Sequence, residues 1–205
     1  MNIERLKAAE MEFFERYPGG FSNPLMIEVG KKHKVDKMHQ FAMEIFAKDE
    51  FGNVHTLIQN TIKLVSRASL VSVFEKPKFK DYMNGLEEHE KHLFADGLYQ
   101  LIHGDMAIGY EHMLEVFVHG QLAKWSLMTI CSYYYSPTTE IFIKPTTAKG
   151  VINYFELEDI IYKPRPTYAF YKAYKAEIIN MAQKVDDALC PDYAAFSGFL
   201  MLTMH

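Results

Sequence analysis

The chain has 205 residues, about half of them apolar and 23% charged, with a formal net charge of −4. That is enough chain for one well-buried core and too apolar a composition for disorder. The acidic balance argues against binding nucleic acid over the whole surface, while leaving room for a local basic face.

No early apolar run follows a positive start, which reads as the absence of a signal peptide. The longest apolar stretch, 125–135, falls short of the roughly 18–20 residues that span a bilayer, so no membrane contact is expected. Cys131 and Cys190 are too few for a disulfide framework and form no CxxC pair. They read as buried thiols in a reducing, bacterial-type cytoplasm.

In chain order, Ile3, Leu6, Phe13, Phe14 and Tyr17 share one helical face, and Pro18-Gly19-Gly20 stops that helix. A short helix is expected from Pro24 to Gly30, with the KKHK that follows as a solvated loop. Asp36 is placed to cap a third helix carrying Met38, Phe41, Ala42, Ile45 and Phe46. After a turn at 50–53, Asn53 caps a longer helix through Val65 and Ala68, and the run SLVSVF (69–74) continues its pattern.

Lys76-Pro77 breaks the chain, and Phe79 to Ile102 reads as one helix weakened at Gly85 and Gly97. Gly104 ends it, Asp105 caps the next, and Gly120 closes that one. Trp125 to Tyr135 is a buried helix or a strand. Glu140-Ile141-Phe142-Ile143 is the best strand candidate, limited by Pro145 to an edge or a loop, and Thr147 could cap a helix through Phe155. Tyr162-Lys163-Pro164-Arg165-Pro166 is read as extended, because proline biases the residue before it away from the helical region. Thr167 caps a last long helix, and Cys190-Pro191-Asp192 turns into an apolar tail, AAFSGFLMLTM. The expected fold is therefore all-α, one helical domain over 1–205, with a short β-hairpin or extended segment around 128–145. The greasy tail needs burial in the core or a partner, which makes a homodimer an expectation.

Function is carried by constellations. The stretch 124–174 mixes Pro137, Pro145, Pro164 and Pro166 with Lys144, Lys149, Lys163, Arg165 and several aromatics. Loops on a helical scaffold concentrate binding groups. Here Lys144, Lys163 and Arg165 would grip an anion while Trp125, Tyr162 and Tyr168 supply stacking or packing surface. The plain alternative is that the prolines route the chain, the aromatics fill the core and the cations decorate the surface.

His112, Glu115 and His119 share a helical face and include metal-ligand types, with His89 and His92 nearby, so a metal-dependent enzyme is the rival reading. Yet HExxH, Glu-x-x-His, GxSxG, GxGxxG and the P-loop are all absent. A nucleic-acid-binding accessory role through the same basic face is the third reading.

The segments WSLMTI, IFIKPTT and YKPRPTYAFY, over about the last 80 residues, resemble the C-terminal part of a family of uncharacterised bacterial proteins. Some members of that family look to be associated with DNA restriction or modification systems. The tail PDYAAFSGFLMLTM departs from the family's Asp-x-Gln-Ser-Phe type of run, and the resemblance carries no catalytic residue across. The expectation is a non-enzymatic cytoplasmic binding or accessory module, without cofactor, recognising a protein partner or an anionic ligand.

Overall fold

In the computed structural model, which describes residues 1–204, all regular structure among the described residues is helical. The α-helices are α1 (Ile3–Arg16), α2 (Pro24–His33), α3 (Val35–Ile45), α4 (Val54–Arg67), α5 (Glu75–Asn84) and α6 (Glu88–His103). They continue with α7 (Met106–His119), α8 (Trp125–Tyr135), α9 (Pro145–Tyr154), α10 (Tyr168–Ala182) and α11 (Tyr193–Thr203). No helix among the described residues is long and apolar enough to cross a membrane.

The array is assembled around α8. Ten of its eleven residues are buried, and a helix apolar on every side must be central. It packs against α3, α4, α6 and α7. The pair α6–α7 forms a tight antiparallel hairpin, and its closeness explains two glycines. A Cβ on Gly109 would lie 2.6 Å from the Leu101 nitrogen, and one on Gly97 3.0 Å from the His112 Cβ. Along the outside, α10 lies on α7, while α11 packs on α1 and α9. One core cluster runs from Leu6 in α1 to Leu200 in α11.

Local chemistry sets most boundaries. Asn53 accepts the Thr56 N–H at 3.0 Å, Asp105 that of Ala107 at 2.8 Å, and Thr167 that of Phe170 at 3.3 Å. Asp192 caps α11 by accepting from Ala194 and Ala195. The apolar tail is thereby folded inward: Phe196, Phe199 and Leu200 are fully buried, with Phe199 edge-on to Phe13 at 5.3 Å. Phe196, Phe199 and Leu200 are thus covered within the chain, while Met201 stays 43% exposed.

The structure corrects several expected boundaries. Most of KKHK is the last turn of α2, not a loop, and α3 starts at Val35 without a side-chain cap from Asp36. The chain leaves the helix at Ala68 instead of continuing through 69–74. There the Ser72 hydroxyl accepts the Phe74 N–H, and Val73 and Phe74 have no apolar surface to cover. Pro77 falls inside the first turn of α5, where its missing N–H costs no helical bond.

The expected helix from Phe79 to Ile102 is two, divided at Gly85 and restarted by a reciprocal capping box between Glu87 and Glu90. Residues 141–144 are irregular, with no strand partner. Pro145, not Thr147, opens α9, and the chain bends at Pro164-Arg165 where an extended run was expected.

Candidate functional site

The residues singled out from sequence do not all share one surface. Trp125 is only 1% exposed; its Nε1–H donates to the Lys163 carbonyl at 2.8 Å and its ring meets Phe170 at 5.0 Å. An indole closed off in this way holds the 160–167 loop to the core and offers no face to a base or sugar. Tyr162 stands edge-on to Phe170 at 5.7 Å, with the Lys149 ammonium 5.0 Å from its ring centre, and burial raises its hydroxyl pKa. Tyr168 meets Tyr110 at 5.7 Å and borders a shallow depression of about 240 Å³ with Lys172 and Lys175. Lys163 and Arg165 are exposed, and Lys144 turns to a different cavity.

The histidines of α7 serve its pairing with α6. His112 Nδ1 lies 2.7 Å from the Asp96 carboxylate, His119 Nδ1 lies 3.9 Å from Glu90, and Glu115 is exposed. Among the described residues no three His, Cys, Asp or Glu side chains are grouped to hold a metal ion. Burial pushes the Cys131 thiol up to about 12 and, with Asp192 and Asp187 nearby, the Cys190 thiol up to about 11, so neither is a ready nucleophile.

A roomier concavity than the depression beside Tyr168 lies elsewhere. The elbow between α2 and α3 stands over α11 and encloses a cavity of about 700 Å³. Met26, Ile27 and Val29 of α2 form one wall, and Ala195, Gly198 and Leu202 of α11 face them. Small residues keep this floor low: a Cβ on Gly198, or on Gly30 opposite, would meet nothing within 4 Å. Lys31, Lys34 and Lys37 stand on the rim, with Asp36 and Asp192 among them. At the elbow itself Lys34 is held left-handed at φ 50°, a conformation uncommon for a residue with a Cβ.

A second cavity of about 200 Å³ adjoins the first, sharing His33, Leu70, Ala194, Gly198 and Met201 in its walls. Its other side is the amino end of α9, with Lys144, Thr147 and Ala148. His33 Nδ1 and Ser69 Oγ lie 3.0 Å apart at its edge.

Of the residues expected to bind a ligand, Lys144 alone lines this double cavity. Its other components were visible only as a basic run (KKHK) and as a tail interrupted by small residues (AAFSG). Comparison with family models, curated proteins and solved structures finds no match, so the functional reading rests on this geometry.

Proposed function

We propose that this chain is a non-enzymatic binding module that takes a small amphipathic molecule between the α2–α3 elbow and α11. One observation carries the reading: a cavity of about 700 Å³ walled by apolar side chains and rimmed by lysines. The volume falls within the roughly 300–1,000 Å³ of pockets that take small molecules. Ile27, Val29 and Met201 are each more than 40% exposed along it, apolar surface that a ligand would cover. The anion-binding role expected of the Lys144–Tyr168 face is relocated in this reading, with Lys144 as the member that stays.

Gly198→Leu provides the test, because Gly198 lines the cavity, an added Cβ there meets nothing within 4 Å, and leucine favours the helix by up to about 1 kcal/mol over glycine. The neutral apolar fluorophore N-phenyl-1-naphthylamine should bind the full chain at one site with enhanced emission. Gly198→Leu should abolish that binding while its Tm is unchanged or raised. Absence of binding by the unmodified chain, or equal binding by a folded Gly198→Leu variant, would reject the proposal.

A further inference from the structure

We infer that the double cavity is polarised and selects a linear amphipathic monoanion of the alkyl carboxylate type. The head lies beside Lys144 in the smaller compartment, and the tail runs along α11 between Met26 and Leu202. The inference rests on the groove being a binding site and adds the ligand's charge and direction.

Three observations fix the direction. First, Lys144 is the only Lys, Arg, Asp or Glu lining the smaller compartment, and it makes no ion pair among the described residues. Along the larger compartment the cations are answered in part: Asp36 and Asp192 share the lining, and Lys31 pairs with Glu28. An incoming negative charge therefore gains most at the Lys144 end.

Second, Lys144 is also the residue preceding the first turn of α9, which no side chain caps and which has Pro145 at its start. Thr147 and Ala148 of that first turn line the same compartment as the ammonium, and the turn carries the positive end of the helix dipole. Third, polar side chains gather here: Ser69, His33 and Thr147 line this compartment, and they carry hydrogen-bond donors suited to carboxylate oxygens. The larger compartment has the length and the apolar walls for methylenes and few neutral polar groups to satisfy a head.

The carboxylate should therefore matter as much as the chain. Charge-assisted hydrogen bonds of this kind correspond to about a 10- to 100-fold gain in affinity, and each buried methylene to about a 3- to 4-fold gain. The closing experiment is calorimetric titration of the full chain with decanoate and with 1-decanol, repeated for Lys144→Met and for the double variant Lys34→Met/Lys37→Met. Lys144 is exposed and its side chain caps nothing, so its replacement leaves the helix intact.

The expected result is one decanoate bound at least tenfold more tightly than decanol. Lys144→Met should remove that difference by weakening decanoate alone, and the double variant should keep it. If the two ligands bind equally, or the gap survives Lys144→Met, the head has been misplaced although the groove stands. Loss of the gap in the double variant instead moves the head to the elbow and overturns the assignment. If neither ligand binds, while Gly198→Leu also leaves the neutral fluorophore unaffected, the groove reading itself has failed.

Discussion

Thr129 shows how one side chain decides the form of a distant segment. It is fully buried in α8, its hydroxyl donates to the Trp125 carbonyl at 2.7 Å, and it accepts the Ile143 N–H at 3.1 Å. Ile141 and Ile143 are each 1% exposed, and their segment is tied down by side chains: Glu140 accepts from Tyr171 and Lys175. An apolar Ile-Phe-Ile run reads as a strand because strands bury such residues. Here the burial is real, but a threonine fourteen positions earlier satisfies the amide that a neighbouring strand would have bonded. Thr129→Val keeps the shape and leaves that buried N–H without its acceptor, at a cost of about 1–3 kcal/mol. The urea midpoint of Thr129→Val should fall accordingly and that of Thr129→Ser much less; equal midpoints for all three proteins would show that the bond contributes nothing. Trp125 belongs to the same lesson: its ring chemistry suggested stacking, but the partner that occupies its N–H, Lys163, lies 38 residues away.

At the scale of elements, what the sequence discloses is mostly what neighbouring residues settle among themselves. Asn53, Asp105, Thr167 and the stop at Gly120 act where expected, since a cap needs only the next two or three amides. The division between α5 and α6 escaped because Tyr82, Met83, Leu86 and Leu93 keep a helical phase across the break. The cavity escaped for a different reason: KKHK and AAFSG are some 160 residues apart, and only tertiary packing sets the α2–α3 elbow over α11. Helix α2 is the element this arrangement leaves least secured. It buries a single side chain, Met26, with Leu25, Ile27 and Val29 more than 40% exposed, and it ends in the left-handed Lys34. Helices with few buried contacts open at low free energy. Amides of α2 should exchange with solvent faster than those of α8, and saturating decanoate should slow exchange in α2 more than in α8. Protection in α2 already equal to that of α8, or unaltered by ligand, would show that the helix is not completed by what it binds.

For the whole molecule the distinguishing feature is how many tyrosines hold the helices together. Tyr110, Tyr133, Tyr134, Tyr171 and Tyr174 are each no more than 3% exposed, and burial raises the pKa of every one. Tyr134 is pushed up to about 12. Tyr133 and Tyr171 are raised further by the carboxylates they donate to, Asp192 at 2.8 Å and Glu140 at 2.5 Å. These groups stay protonated in the native state at a pH where the unfolded chain, with tyrosines near 10, has begun to lose its protons. The native form then binds more protons than the unfolded form, so stability must fall as pH rises. The contribution is complete below about pH 10 and diminishes above it, by about 1.4 kcal/mol per pH unit for each tyrosine that ionises only on unfolding. Five such groups acting together make the loss steep enough to consume an ordinary folding free energy of about 5–15 kcal/mol within one or two pH units. Alkaline titration should therefore show a first rise in tyrosinate absorbance from exposed rings and a second, cooperative rise coincident with loss of helical circular dichroism. A smooth rise to full amplitude while the helix signal persists would mean that the buried hydroxyls ionise in place, and that the tyrosine core is looser than its packing implies.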